Sequence, residues 1–259
     1  MIGSLDKWKG KVAVVTGASS GIGAATSQKL VEAGIHVVGL ARRKEKIDDL
    51  AKLLTGKPGK LYSIKADITQ EDDILKAFQW IKDNLGAVHI LINNAGISRL
   101  TTLVDGNAQM WRDVFNTNVL GLCIATREAC RNMKENNVNG HIVHVNSFLG
   151  HRVILFPNLN VYPASKFAVT ALTETLRQEL NLIGSKIKIS SISPAGVDSE
   201  FSQAKQIASG LSPSDASIGS REGIYLKSED VADAILYVLS TPPFVQIHEL
   251  MLHSVNTHF

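Results

Sequence analysis

Lys11-Val12-Ala13-Val14-Val15-Thr16-Gly17-Ala18-Ser19-Ser20-Gly21-Ile22-Gly23 joins a β-branched apolar run to a GxxxGxG turn that opens a segment of helical period, Gly21 to Ala33. The same order of apolar strand and helical segment recurs along the chain. Lys11 to Thr16, Ile35 to Leu40, Lys60 to Lys65, Val88 to Asn93, His141 to Asn146, Ile187 to Ser193 and Phe244 to Leu252 read as strands, most of them near-continuously apolar. That is the pattern of a sheet covered on both faces. Gly21 to Ala33, Thr69 to Asn84, Asn118 to Asn136, Tyr162 to Ile183 and Ser228 to Ser240 are long enough for crossover helices, and Gly34, Gly86 and Gly184 close three of the helical segments. Repeated β-α-β order predicts an α/β fold: a doubly wound, Rossmann-like parallel sheet of seven strands with helices on both faces.

The chain has 259 residues with 44% hydrophobic content, enough to fill the core of one large α/β domain, and contains no internal repeat, low-complexity tract or linker. Residues 1–259 therefore read as a single domain. Net charge is only +3 and the 27 Lys and Arg are scattered, so nothing calls for nucleic acid or an anionic membrane. Cys123 and Cys130 lie in a helix-like stretch and read as reduced core thiols. The first ten residues lack the apolar stretch of a signal peptide, and no 18-residue apolar segment occurs. These features predict a soluble, cytoplasmic chain without a membrane span. Ser199 to Lys227, interrupted by Gly210, Pro213 and Gly219, reads either as a lid over a pocket or as a surface loop.

Gly17, Gly21 and Gly23 permit a tight turn and close approach to a pyrophosphate, whose charge a helix N-terminus stabilises. A glycine run alone also serves as a packing turn, but its place after the first strand and before a helix points to the nucleotide. Dinucleotide sites that hold NAD put an acid after the second strand, to accept from the ribose 2′-hydroxyl. Here Arg42-Arg43-Lys44 stands there, with no acid until Glu45. The alternative is a solvated helix start, yet a helix N-terminus disfavours three cations without an anion. A 2′-phosphate, and hence NADP, fits better. In Tyr162-Pro163-Ala164-Ser165-Lys166 an i, i+4 spacing puts phenol and ammonium on one helix face, where the cation favours the ionised tyrosine. The spacing also occurs by chance on solvated helices, so the case depends on the rest of the chain.

Together the glycine run, Asn93-Asn94-Ala95-Gly96, Asn118, Ser147, and Tyr162 with Lys166 resemble the short-chain dehydrogenase/reductase family in its single-domain form, over nearly the whole chain. Within it, Val37 to Arg43, Gly150-His151-Arg152-Val153, Thr170 to Leu180 and Val245 to Leu250 resemble the insect farnesol dehydrogenase group and its vertebrate relatives, which act on keto and hydroxy steroids. The resemblance implies that Tyr162 exchanges a proton with the substrate oxygen while a hydride moves between nicotinamide and the same carbon. Lys166 would lower the tyrosine pKa and hold the nicotinamide ribose, Ser147 would bond the substrate oxygen, and Asn118 would anchor a proton-relay water. Seen alone, Ser147 and Asn118 also suit simple caps. By the same resemblance NADP would meet Ser19, Ser20, Ile22, Asp67, Ile68, Asn94, Ala95, Gly96, Pro194, Val197 and Ser199; Asp67 also suits an N-cap, and both roles are compatible.

Pro194-Ala195-Gly196 departs from the family's usual Pro-Gly, Ser199 replaces a threonine, and Ser20 stands where many NADP enzymes of the family carry Arg or Lys. The apolar stretch between Ser147 and Tyr162, with Phe148, Leu149, Val153, Leu155, Phe156 and Pro157, reads as a pocket for a lipophilic alcohol or ketone, or as core packing or a subunit contact. Phe201, Ile207 and Leu211 are placed to close over it. His141, His144 and His151 lack metal-ligand spacing, so no metal is assigned. A homodimer or homotetramer follows from resemblance alone. The functional readings are a dehydrogenase of isoprenoid alcohols such as farnesol, a reductase of steroid or xenobiotic carbonyls, and a non-catalytic NADP sensor. An intact Ser147, Tyr162 and Lys166 speaks against the last.

Overall fold

A computed structural model describes residues 4–154, 158–201 and 225–255. β1 (Val12–Thr16), β2 (His36–Ala41), β3 (Lys60–Lys65), β4 (Val88–Asn93), β5 (His141–Val145), β6 (Lys188–Pro194) and β9 (Glu249–Leu252) form one sheet in the order β3-β2-β1-β4-β5-β6-β9, every neighbouring pair parallel. Two further strands of two residues each, β7 (Val197–Asp198) and β8 (Leu226–Lys227), pair in a ribbon of their own. The doubly wound seven-stranded sheet is as expected; the last strand is shorter, because Phe244 to His248 form a loop that leads into it.

The helices are α1 (Gly21–Glu32), α2 (Lys44–Leu53), α3 (Glu71–Asn84), α4 (Ala108–Phe115), α5 (Leu122–Glu135), α6 (Tyr162–Leu182) and α7 (Ser228–Ser240). Gly34, Gly86 and Gly184 follow their helices with φ of +86°, +80° and +67°, the left-handed closure that glycine adopts most readily. The strands read as unbroken apolar runs because each face meets its own core. In β1, Ala13 and Val15 join Leu30, Val31 and Ile235 from α1 and α7, while Val12 and Val14 join Ile74, Ile81, Ala125 and Met133 from α3 and α5. The order reverses between β1 and β4, so their C-terminal ends open a crevice at the switch point, the usual ligand position in such sheets.

Among the described residues, two helices exceed the sequence reading. α2 follows Arg42-Arg43 directly; Ile47, Leu50 and Ala51 give it a narrow apolar stripe, followed by Leu54, on an otherwise charged surface. α4 runs through a π-helical stretch, Asn116–Gly121, into α5, so the helix expected to begin at Asn118 begins earlier and is widened there. π-turns inside helices are frequent at functional sites. Close approach shapes this one: a Cβ on Gly121 would lie 2.5 Å from the Ile68 carbonyl.

Candidate active site

The turn after β1 needs its glycines. Gly17 and Gly21 have φ of +67° and +54°, and a Cβ on Gly23 would lie 2.3 Å from the Gly17 carbonyl oxygen and 2.5 Å from Asn94 Nδ2. The β4 end locks this turn. Asn94 Nδ2 donates to the Thr16 and Gly17 carbonyls at 2.9 and 3.2 Å, and Thr16 Oγ1 accepts from Asn94 N and Ala95 N, both at 3.0 Å. The Asn94 amide is thus spent on shaping the cradle. Ser20, the N-cap of α1, makes no side-chain capping bond, and Ser199 sits over Gly21, where a Cβ would meet Ser199 Cβ at 3.4 Å. A glycine-lined, uncapped helix N-terminus of this kind fits a pyrophosphate.

Arg42 and Arg43 are exposed at the end of β2, while Lys44 turns back onto Asp48 at 2.7 Å. Arg43 reaches Ser20 Oγ at 3.0 Å and Ser19 Oγ at 3.5 Å, and pairs with Glu200 at 3.0 Å; Lys46 holds the other Glu200 oxygen at 2.6 Å. The expected trio of cations is therefore a pair, with an acid from the segment after β7 already facing it. Asp67 Oδ1 accepts from Thr69 N and Oγ1 at 3.0 and 2.8 Å, which caps a turn two residues before α3 begins. Pro194 ends β6, and Val197 pairs with Leu226 in the ribbon. Gly196 is needed beside it, since a Cβ would meet the Tyr225 ring at 2.7 Å.

Tyr162 opens α6 with Pro163 in its first turn, a position that asks for no backbone donor. Burial pushes the Tyr162 phenol up to about 12 against the pull of a hydrogen bond with Ser147, and brings Lys166 down to about 8. Lys166 Nζ lies 5.9 Å from the Tyr162 ring centroid and donates to the Val145 carbonyl at 2.9 Å. The expected lowering of the phenol by Lys166 is thus outweighed in the free chain, because the ammonium is spent on a carbonyl and desolvation penalises the phenolate. Ser147 Oγ accepts from Leu149 N at 3.1 Å, which leaves its O–H to donate toward Tyr162 or a substrate oxygen.

The Asn118 side chain is fully engaged: Oδ1 accepts from Ile97 N at 2.8 Å, and Nδ2 donates to the Ile97 carbonyl and Ser165 Oγ at 2.9 and 3.0 Å. Ser165 Oγ in turn donates to the Tyr162 carbonyl at 2.7 Å. Asn118 therefore ties the loop after β4 to the tyrosine. Gly96 in that loop borders the lysine, since a Cβ there would lie 3.5 Å from Asn118 Oδ1 and 3.9 Å from Lys166 Nζ. Sequence reasoning missed Ser165, although a small polar residue inside the Tyr-Lys turn was its visible signal; Thr16 and Glu200 were missed also.

Of the substrate candidates, Phe201 meets Tyr162 with ring centroids 5.9 Å apart. Phe148 is buried and stacks edge-on against His253 at 5.0 Å, Leu149 is half-buried, and Val153 is 70% exposed. Leu155, Phe156, Pro157, Ile207, Leu211 and most of the expected lid, residues 202–224, lie outside the described residues. His141 and His144 are buried on Ser190, Thr126 and Thr173, and burial brings both down to about 3. They are neutral core histidines.

A doubly wound sheet with a glycine cradle at its switch point defines a dinucleotide-binding α/β protein. The chain belongs to the short chain dehydrogenase family, which residues 11–209 match, and is an oxidoreductase of that family. It is 48% identical to a farnesol dehydrogenase of Aedes aegypti over 98% of this chain and 100% of that one. It is 44% identical to human dehydrogenase/reductase SDR family member 11, over 96% and 95%. Among solved structures it is similar to the closed form of a serine dehydrogenase complexed with NADP+ (TM-score 0.85, 26% identity, 96% of each chain). It is also similar to a short chain dehydrogenase/reductase from Burkholderia phymatum in complex with NAD (TM-score 0.83, 26% identity, 95% and 90%). No helix among the described residues is long and apolar enough to cross a membrane.

Proposed function

We propose that this chain is an NADP(H)-dependent dehydrogenase of lipophilic alcohols and their carbonyl partners, with an isoprenoid alcohol such as farnesol as substrate. The observation that carries the reading is the convergence of Ser147, Tyr162 and Lys166 at the ends of β5 and α6, in a sheet whose switch point presents the glycine cradle. The farnesol dehydrogenase relative supports the substrate class.

Gly17, Gly21, Gly23 and the N-terminus of α1 would hold the pyrophosphate, Arg42 and Arg43 the 2′-phosphate, and Asp67 and Ile68 would flank the adenine. Lys166, beside Gly96, would hold the nicotinamide ribose, with Pro194, Val197 and Ser199 around the carboxamide. NADP supplies the hydride acceptor when bound. Tyr162 Oη takes the alcohol proton in oxidation and returns it in reduction. Ser147, which accepts from Leu149 N, donates its O–H to the substrate oxygen as negative charge develops there. A buried phenol at about 12 is protonated at neutral pH and takes up the alcohol proton only as its phenolate, so an added cation beside it favours the reactive form; Lys166, fully buried and held to Val145, is the protein's own contribution. Asn118 fixes the approach of α6 through Ser165, so a water at this position would be anchored by backbone and not by its spent amide. Phe201 supplies an apolar wall beside the phenol.

The test is turnover followed by cofactor absorbance, with farnesol, geraniol, linear alcohols, hydroxysteroids and retinol, each with NADP+ and NAD+. Farnesol oxidation with NADP+ is expected, and Tyr162→Phe abolishes it while NADP+ still binds. Retained turnover in that variant refutes the mechanism. Preference for a hydroxysteroid would move the substrate class, and tight cofactor binding without any turnover would leave a sensor.

A further inference from the structure

The two sequence segments Gly150-His151-Arg152-Val153 and Val245 to Leu250 meet in the folded chain, at a contact the proposed chemistry leaves unused. His151 Nε2 lies 3.0 Å from Ser193 Oγ and 3.2 Å from Glu249 Oε2. Ser191 pairs with Glu249 across β6 and β9, and side chains alternate along a strand, so Ser193 and Glu249 share one face of the sheet. In the tautomer with its proton on Nε2, the ring donates toward both oxygens. Glu249 Oε1 is buried without a hydrogen-bond partner among the described residues, so His151 is the main partner of that carboxylate.

What His151 pins is the turn that carries Ser147. Phe148–Gly150 is a 3₁₀ turn with Ser147 as its N-cap, closed by Leu149 N to Ser147 Oγ at 3.1 Å, Gly150 N to the Ser147 carbonyl at 2.8 Å and His151 N to the Phe148 carbonyl at 3.1 Å. Thr170 of α6 clamps the same turn, donating to the Gly150 carbonyl at 2.9 Å while accepting from Asn146 Nδ2 at 2.9 Å. There is no slack at Gly150, where a Cβ would lie 2.7 Å from the Lys166 carbonyl and 2.8 Å from the Asn146 amide. The turn is held on one side by the helix of Tyr162 and Lys166, and on the other by His151 on Ser193 and Glu249 and by Phe148 against His253.

We propose that His151 is a positioning residue for Ser147: anchored to Ser193 and Glu249, it fixes the turn whose cap hydroxyl faces Tyr162. The proposal rests on the functional reading above for the role of Ser147, and concerns a residue whose ring contacts are Ser193 and Glu249. Misplacement of a reacting group by about 1 Å costs on the order of a hundredfold in rate without a matching loss of binding.

The test compares wild type, His151→Phe, which keeps a ring and loses the donor, and His151→Gln, which keeps a donor. Two readouts are taken: steady-state kinetics with farnesol and NADP+, and amide hydrogen exchange of residues 146–153 against the strands of the sheet. Expected for His151→Phe are a kcat lower by about tenfold to a hundredfold, KM and NADP+ affinity within about twofold, and faster exchange confined to 146–153, with most of the kcat recovered in His151→Gln. Unchanged exchange at 146–153, unchanged kcat despite faster exchange, or a joint fall of kcat, NADP+ affinity and whole-sheet protection each overturn the proposal. A wild type inactive on every alcohol defeats the functional reading alone. The exchange arm then still decides whether His151 holds the Ser147 turn.

Discussion

Lys166 is a fully buried ammonium, and its removal is expected to stabilise the free protein while ending its chemistry. Burial lowers the lysine from 10.5 to about 8. At 1.36 kcal/mol per pKa unit, holding the proton in the folded state at pH 7 costs roughly 3 kcal/mol. Lys166→Met keeps the length of the stem and removes that cost. It also removes the charge-assisted bond from Nζ to the Val145 carbonyl, which offsets about 1.5–3 kcal/mol. The net gain is up to about 1.5 kcal/mol, and for a chain of this size each kcal/mol raises Tm by about 2–4 °C. The sign of the pH dependence follows from the direction of the shift. Because the folded-state pKa lies below the unfolded one, the unfolded chain carries the extra proton between about pH 8 and 10.5, so wild-type stability rises with pH across that window. The advantage of Lys166→Met is therefore full below pH 8 and fades above it. Thermal unfolding of both cofactor-free proteins at pH 7, 8, 9 and 10 measures it, with the difference taken at each pH so that other titrating groups cancel. A variant less stable than wild type at pH 7, or a difference that stays constant to pH 10, refutes the reasoning.

The glycine cradle gives a steric prediction. Gly23→Ala drives a Cβ to 2.3 Å from the Gly17 carbonyl oxygen and loses cofactor binding together with about 1–3 kcal/mol of stability. Gly86→Ala, with φ +80° and open space around it, loses only about 1–2 kcal/mol and keeps cofactor affinity; equal binding losses in titration calorimetry refute the cradle. Arg42→Ala weakens NADP+ binding about tenfold or more and NAD+ binding much less, since one charge-assisted bond carries about 1.5–3 kcal/mol. Glu200→Gln frees Arg43 and Lys46 from their acid, so NADP+ binds severalfold tighter with NAD+ unchanged. Weaker NADP+ binding in that variant refutes competition between carboxylate and phosphate.

The fold was legible wherever one local rule decided it. Apolar runs such as Val12–Thr16 are strands because both faces are covered, and Gly34, Gly86 and Gly184 end helices because the chain turns left-handed there. α2 was read only as a possible solvated helix start because its stripe toward the sheet is narrow, with Ile47 buried and Leu50 and Ala51 partly so among the charges of Lys44 to Leu53. α4 escaped because its helical period is broken at Asn116–Gly121, where the register widens and the pattern used to trace the helix fails.

The site shows the same division between local and long-range determinants. Tyr162 with Lys166 was visible because one helix sets the spacing, and Gly17, Gly21 and Gly23 because one turn needs them. Most of the partners that give these residues their state come from elsewhere in the chain: Val145 takes the ammonium, Asn118 reaches the tyrosine through the neighbouring Ser165 and ties it to the loop after β4, and Glu200 faces Arg43. The tyrosine illustrates what this changes. Spacing alone predicts a phenol made acidic by its neighbour, whereas the fold buries both groups and spends the ammonium on a carbonyl, which leaves the phenol near 12 and the lysine near 8. Burial raises the one and lowers the other by the same cause, the cost of a charge away from water, so both groups are held in their neutral direction until a further charge enters the crevice. With Tyr162 as the base proposed above, a site built this way would make proton transfer conditional on what is bound beside it.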